Sequence, residues 1–132
     1  MAIAVLALAT GIIFLILDAL MLTFVMQPLF ARHIGSQLIS PIRIGPAVAF
    51  YLIYIAGLLW LVSIPALRSG GQVWVQAAVL GLMAYATYEL TSYTVMRDWH
   101  WHMVVVDTTW GAVLTALSAG GGLAITRWMT QT

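Results

Sequence analysis

Three carboxylates lie inside stretches of the sequence that are otherwise apolar. The chain has only four acidic residues, and Asp18, Glu89 and Asp107 are the three in question. An ionisable group within an apolar stretch carries a considerable energetic cost, so such residues are candidates for function. Because like charges in apolar surroundings suppress each other's ionisation, at least one of the three is a candidate proton donor. The chemistry this indicates is proton handling, or the anchoring of a polar ligand.

Groups that can donate hydrogen bonds accompany these acids. The candidate ligand-binding residues lie in the second, third and fourth apolar stretches and in the connection between the last two: Tyr51, Tyr54, Tyr85, Tyr88, Ser92, Trp110 and Arg97. Tyr85, Tyr88 and Ser92 have the i, i+3, i+7 spacing of one helical stripe, and Glu89 occupies position i+4 of the same stripe. The spacing therefore predicts that these polar groups face one direction.

Composition determines the class of protein. The chain of 132 residues is 63% hydrophobic and 7% charged, with a mean hydropathy of +1.02, which is typical of an integral membrane protein. The net charge is +1, so no basic patch for nucleic acid is present. Cysteine is absent, which excludes disulfides, thiolate catalysis and iron–sulfur clusters. We predict no cofactor.

Four apolar segments are each close to the length of about 20 residues that crosses a bilayer as a helix. They cover residues 2–26, 46–66, 73–95 and 103–126. The sequence therefore predicts an all-α integral membrane four-helix bundle, formed by a single transmembrane domain over residues 1–132. The connection from Gln27 to Pro46 contains three prolines and is predicted to be a turn-rich loop at the membrane surface.

The acids are predicted to lie at a similar depth. With a helical rise of about 1.5 Å per residue, Asp18 and Glu89 lie ~12 and ~10 Å before the ends of their segments. Asp107 lies ~6 Å after the start of its own segment. All three are on the side of the first and third connections. Lipid tails cannot satisfy such groups, so we expect them to turn inward and form a pocket at half-membrane depth.

Residues at the ends of the segments bear on orientation. Arg32, Arg43 and Arg97 lie in the first and third connections. Arg68 and Arg127 lie on the other side, so the count favours a cytoplasmic location for the first and third connections and termini outside. Four tryptophans near segment ends fit an interfacial aromatic belt: Trp74, Trp99, Trp101 and Trp128.

The histidines lie in the connections. His100 and His102 are two residues apart, a spacing that separates them on a helix and brings them together in an extended turn. All three histidines, with His33, fall at the membrane surface, so a solvated interfacial role is favoured over ligation. No metal-spacing motif is present, and the sequence predicts no metal site, with oxygen ligation of a hard cation by the three acids as the less favoured alternative.

Several stretches resemble one family over nearly the whole chain. They are residues 14–18 (FLILD), 50–58 (FYLIYIAGL), 84–92 (AYATYELTS), 97–99 (RDW) and 107–111 (DTTWG). The chain is similar to domain-of-unknown-function family 2177, which comprises small bacterial four-span integral membrane proteins. Family members carry Asp at the position of Glu89, Asn at that of Ser92 and Pro at that of His100. The resemblance implies a bacterial inner-membrane location and no established activity.

The sequence leaves several functions open. The first is binding of a lipid-like or small polar ligand in the pocket, with lipid modification as one use and membrane lipids as partners. The second is a small proton-coupled transporter acting as a homo-oligomer, since four spans rarely enclose a path alone. The third is a non-catalytic accessory subunit of a larger membrane complex. A purely structural role, in which the acids hold helices together, is the alternative to all three.

Overall fold

The described part of the chain forms four helices. The computed structural model describes residues 1–39 and 41–130, and within them it contains helices and no strand. We number the helices α1 (Ala2–Gln37), α2 (Ile44–Ser69), α3 (Trp74–Val95) and α4 (Trp101–Thr130). The prediction of an all-α membrane bundle is confirmed.

The helices differ in how apolar they are. By length and composition, α1, α2 and α4 are able to cross a membrane. Helix α3 has 22 residues, a sufficient length, but it includes polar groups at Gln76, Tyr85, Tyr88 and Glu89. A helix whose polar groups face its neighbours can be less hydrophobic than one surrounded by lipid. A fourth crossing, by α3, stays a prediction.

Helix α1 continues past the predicted end of the first segment. The chain stays helical to Gln37, so the prediction of a loop from Gln27 is wrong for residues 27–37. A helix of 36 residues is about 54 Å long at a rise of about 1.5 Å per residue. This exceeds the hydrocarbon thickness of about 30 Å, so one end of α1 extends beyond the apolar layer.

Two π-helical turns explain how the helices pass through prolines. One turn spans Leu22–Met26 and is followed two residues later by Pro28. The other spans Leu59–Ser63 and is followed at the same distance by Pro65. In a regular helix a proline ring collides with the carbonyl four residues earlier. The wider turn moves the carbonyls aside, so α1 and α2 continue beyond their prolines.

Small residues allow the helices to approach closely within the chain. A Cβ added to Gly81 of α3 would lie 2.2 Å from the carbonyl oxygen of Gly111 and 2.5 Å from Thr115 Oγ1 of α4. A Cβ on Gly122 would lie 2.1 Å from Thr10 Oγ1 of α1. The small residues Gly111, Thr115 and Gly122 of α4 therefore pack against α3 and α1, as expected for close helix contacts in membranes.

Hydrogen bonds join the connections at the two ends of the bundle. Arg127 Nη2 donates to the carbonyls of Ala66 at 3.1 Å and Gly71 at 2.6 Å, which brings the end of α4 to the α2–α3 connection. At the opposite end, Gln37 Nε2 donates to Asp98 Oδ2 at 3.5 Å, which brings the end of α1 to the α3–α4 connection. Helix α3 therefore runs between the same two ends as its neighbours.

Candidate functional site

A cavity of about 410 Å³ lies in the half of the bundle nearest the α1–α2 and α3–α4 connections. This volume is within the range of about 300–1,000 Å³ that is typical of small-molecule sites. Its walls are mainly aliphatic and aromatic, with two carboxyls and three tyrosines. The lining residues are Asp18, Leu22, Met26, Phe30, Phe50, Tyr51, Ala84, Tyr85, Tyr88 and Asp107.

Both oxygens of the Asp18 carboxyl accept hydrogen bonds. Tyr51 donates its hydroxyl to Oδ2 at 2.5 Å, and Trp110 donates its indole N–H to Oδ1 at 3.3 Å. Donors from α2 and α4 therefore hold a buried carboxyl of α1 that is only 6% exposed. Two hydrogen bonds from different helices therefore fix the position of the Asp18 carboxyl in the cavity wall.

Glu89 and Asp107 form a second acidic centre between α3 and α4. The two carboxyls lie within hydrogen-bonding reach of each other when one is protonated. Glu89 is fully buried, and its Oε1 accepts a hydrogen bond of 2.9 Å from Trp99 Nε1. Its Oε2 has no hydrogen-bond partner elsewhere in the described part of the chain.

A shared proton accounts for this arrangement. Two carboxylates in contact in apolar surroundings repel each other strongly when both are ionised, and a proton between them removes that repulsion. A proton held between Glu89 and Asp107 would also provide the partner that Glu89 Oε2 otherwise lacks. The pair can therefore donate or accept a proton at the cavity, which Asp107 lines.

Aromatic rings support the wall of the cavity. The ring of Phe14 packs against those of Tyr51 and Tyr54, with centroids 5.9 and 5.5 Å apart. Tyr54 and Thr115 share a hydrogen bond of 2.8 Å between their hydroxyls, and the Tyr54 ring lies 6.2 Å from that of Tyr85. These contacts limit the rotation of Tyr51, which donates to Asp18, and of Tyr85, whose hydroxyl is able to donate to a ligand.

The structure brings most of the predicted site residues together. The predicted residues that line the cavity are Asp18, Tyr51, Tyr85, Tyr88 and Asp107. Glu89 and Trp110 contact the lining carboxyls, and Tyr54 packs behind Tyr85. Ser92 is half-buried further along α3, and Arg97 is exposed in the connection that follows. Neither is among the residues that line the cavity.

A family model described as "Predicted membrane protein (DUF2177)" matches residues 3–124. The chain belongs to the DUF2177 family. No curated protein and no solved structure matches it. Together with three helices of spanning length and composition, the family description makes this DUF2177 chain a multi-pass membrane protein.

Some residues at the cavity of this DUF2177 chain are not predicted by the sequence. The sequence analysis places Trp99 in an interfacial aromatic belt, but the side chain is only 6% exposed and donates a hydrogen bond to Glu89, so that prediction is wrong. Phe30 lies in the segment predicted to be a loop, yet the helical extension of α1 places it in the cavity wall. A prediction that continued the helix through Pro28 would have placed Phe30 on α1. No spacing in the sequence indicates that Trp99 bonds to Glu89.

The three histidines of the DUF2177 chain also meet, at the end of the bundle that holds the α3–α4 connection. The rings of His33 and His100 stack with centroids 4.2 Å apart, and those of His100 and His102 are 4.8 Å apart. One nitrogen from each ring lies within 4.8 Å of the other two. The sequence does not predict this cluster, because the extension of α1 is what brings His33 to the other two.

Proposed function

We propose that the cavity binds a lipid-like or other small amphiphilic molecule, with its polar group at Asp18 and Asp107 and its apolar part along Leu22, Met26 and Phe50. The observation that carries the proposal is the composition of the lining, which combines two carboxyls with a wall of aliphatic and aromatic side chains. Sites of this kind are typical of ligands with one polar end, because a few polar groups orient a mostly apolar molecule.

The acids have different roles in this proposal. Asp18, held by Tyr51 and Trp110, acts as a fixed anion that accepts hydrogen bonds from the ligand or neutralises a cationic group. Asp107 and Glu89 hold a proton and exchange it with the ligand. Acids that take different protonation states can divide acid and base work between them. In lipid modification, such a pair would supply or remove the proton at the reacting polar group.

Several exposed side chains give the cavity an opening on the outside of the bundle. Leu22, Phe50 and Tyr88 line it and are 43%, 44% and 50% exposed. They belong to α1, α2 and α3, whose outer faces contact acyl chains in a membrane. An amphiphile could therefore enter sideways from the lipid, which supports a lipid-like ligand over a strictly water-soluble one.

We further propose four crossings of a bacterial inner membrane, with the termini outside. Support for the fourth crossing comes from the contacts at both ends of the bundle. Gln37 reaches Asp98 at one end, and Arg127 reaches Gly71 at the other. Helix α3 thus runs between the same two ends of the bundle as the other three helices. The orientation rests on the three arginines of the first and third connections against two on the other side.

Bound lipid can be tested directly. The protein is extracted from bacterial membranes into polymer-bounded nanodiscs and examined by native mass spectrometry, with the released molecules identified after dissociation. We expect one amphiphile to remain bound to the chain. Ala84→Phe, which places a ring inside the cavity, should remove it, and Asp18→Asn should weaken its retention by removing the anion.

A matched substitution separates loss of the ligand from loss of the fold. Ala4→Phe introduces the same ring at an exposed position of α1 and should retain the amphiphile. Circular dichroism and gel filtration of each variant check that the helices and the particle size are unchanged. Equal retention by all of the variants, or no bound amphiphile in the natural chain, would argue against the proposed site.

Proton-coupled transport by an oligomer is the second candidate. Its support is a group of buried hydroxyls in the half of the bundle away from the acids. Thr10, Ser63 and Ser118 are each fully buried and lack a hydrogen-bond partner within the described residues. Tyr54 also bonds Thr115 in this direction. Proton flux into proteoliposomes that is lost in Glu89→Gln would favour transport, whereas an absence of both flux and ligand would favour an accessory subunit.

A further inference from the structure

The histidine cluster has features that a set of solvated surface histidines does not need. His33 and His100 are half-buried, and His102 is exposed. Within residues 1–39 and 41–130, the buried Nε2 of His33 has no hydrogen-bond partner. A buried imidazole nitrogen without a partner loses its hydration and gains nothing in return. Nε2 of His33 is therefore available to bind a further group.

The distances among the three rings suit a metal ion. Ligand nitrogens bind Zn²⁺ at about 2.0–2.1 Å, so two nitrogens on a tetrahedral ion are about 3.3 Å apart. The nitrogens of His33, His100 and His102 lie within 4.8 Å of one another. The planes of the stacked His33 and His100 rings are only 8° apart, so these rings must turn out of the stack for their lone pairs to converge on one ion. His33 belongs to α1, His102 lies in the first turn of α4 and His100 directly precedes that helix, so the backbone already holds the set together.

The chemistry of the three side chains also suits a transition metal. Neutral imidazoles offer lone pairs, which a divalent transition metal accepts.

We propose that His33, His100 and His102 form a binding site for a divalent transition-metal ion of the Zn²⁺ class. The chain contains no cysteine and only three histidines, so this cluster gathers all of its nitrogen ligands of this type. Three protein ligands leave a fourth position open for water or a further ligand, as in catalytic zinc sites.

One hydrogen bond must change when the metal binds. The backbone N–H of His102 donates to Nδ1 of His100 at 3.1 Å. A neutral imidazole has a single lone pair, which this bond occupies. Binding through either nitrogen of His100 therefore requires the ring to give up that bond. We expect the amide of His102 to exchange faster with deuterium once the metal is bound.

The site lies one helical turn beyond the cavity. Phe30, three residues before His33, lines the cavity and packs against Trp99 with centroids 5.5 Å apart. A metal bound to His33 and His100 would therefore link α1 to the start of α4, close to the packed rings of Phe30 and Trp99. The site is independent of the proposed ligand, because it shares no residue with the cavity.

Metal titration of the purified full chain tests the proposal. The protein is prepared in detergent with an affinity tag free of histidine and treated with a chelator, and Zn²⁺ binding is measured by calorimetry. Co²⁺ serves as the spectroscopic probe, since its visible absorption reports the coordination number. We expect one ion per chain, with visible bands of a four-coordinate or five-coordinate site. Binding should be lost at about pH 5, where imidazoles are protonated.

Variants connect the binding to the three rings. Alanine at any one of the histidines should weaken Zn²⁺ affinity by at least about tenfold, as loss of even outer contacts does at metal sites. Gln37→Ala, one turn after His33 and without an imidazole, should bind Zn²⁺ as the natural chain does. Zn²⁺ should also raise the unfolding temperature of the natural chain and leave that of His102→Ala unchanged.

Three results would overturn the proposal. The first is Zn²⁺ binding by the triple alanine variant that equals binding by the natural chain. The second is no binding by the natural chain. If Glu89→Gln rather than the histidine variants removes the binding, the ion belongs to the carboxyls and the histidine site is also overturned. Helical circular dichroism without metal shows that the variants are folded, and their exposed or half-buried positions favour this.

Discussion

Trp99 donates its indole N–H to Glu89 Oε1 at 2.9 Å. The same indole packs against Phe30, with ring centroids 5.5 Å apart, and against Tyr88, at 5.6 Å. One side chain in the α3–α4 connection therefore contacts the acidic pair, the cavity wall and the extended end of α1. Since His100 follows Trp99 directly, a change at the histidines can reach the carboxyls through this residue.

The first prediction concerns this hydrogen bond. Trp99→Phe keeps an aromatic ring but removes the donor, which leaves the buried Glu89 Oε1 without a partner. An unsatisfied buried polar group costs about 1–3 kcal/mol, so we expect the free energy of unfolding to fall by that amount. Denaturant unfolding of the detergent-solubilised protein, followed by circular dichroism, measures the change.

Trp60→Phe is the matched control for the loss of an indole. Trp60 is 77% exposed on α2, so its replacement should leave the free energy of unfolding nearly unchanged. If Trp99→Phe were as stable as Trp60→Phe, the bond to Glu89 would not contribute to the stability of the bundle.

The second prediction tests the close contact of α3 and α4. Gly81→Ala places a methyl group 2.2 Å from a backbone carbonyl of Gly111, which cannot move without shifting a helix. Overpacking of this kind typically costs about 1–3 kcal/mol, so the unfolding temperature should fall. Gly57→Ala is the control, because nothing lies within 4 Å of the added Cβ. Gly57→Ala should be neutral or slightly stabilising, and equal effects of the two changes would contradict the packing argument.

Much of the fold follows from the sequence. A long apolar segment in lipid satisfies the hydrogen bonds of its backbone N–H and C=O groups by forming a helix. The common depth of Asp18 and Asp107 also follows, since a fixed rise per residue converts position into height. The contact of Tyr51 with Asp18 is consistent with the predicted pocket, although the sequence does not indicate which tyrosine bonds which acid.

Two features depend on geometry that the sequence does not specify. Pro28 normally indicates the end of a helix, but the π turn before it lets α1 continue to Gln37. That continuation places Phe30 in the cavity and His33 beside His100. Residues 67 positions apart in sequence thus meet through a local shift in hydrogen bonding, which composition and periodicity do not reveal.

The third prediction concerns the path of α3. The chain lacks cysteine, so single-cysteine variants need no other change. Ser36→Cys and Ser69→Cys place thiols at the exposed ends of α1 and α2, and Asp98→Cys places one in the α3–α4 connection. In intact bacteria, a membrane-impermeant maleimide should label position 69 alone. Positions 36 and 98 should be labelled only after the cells are permeabilised.

Other labelling patterns have distinct meanings. Labelling of positions 36 and 98 but not 69 in intact cells would keep four crossings and reverse the orientation. Labelling of 69 and 98 together would mean that α3 does not cross. Position 70 is unsuitable for a thiol, because Gly70 has a φ of 81°, a conformation that favours glycine.

The last prediction separates stability from function at the acidic pair. In Glu89→Gln, the amide oxygen can still accept from Trp99 and the amide N–H can donate to Asp107, so no shared proton is needed. The unfolding temperature should therefore be unchanged or higher, because a buried acid is removed. Retention of the amphiphile, measured by native mass spectrometry, should nevertheless be lost if the pair exchanges a proton with it. Asp98→Asn, an exposed acid, is the control and should retain it. Full retention in Glu89→Gln would falsify the proton-handling role and leave the carboxyl pair with a structural one.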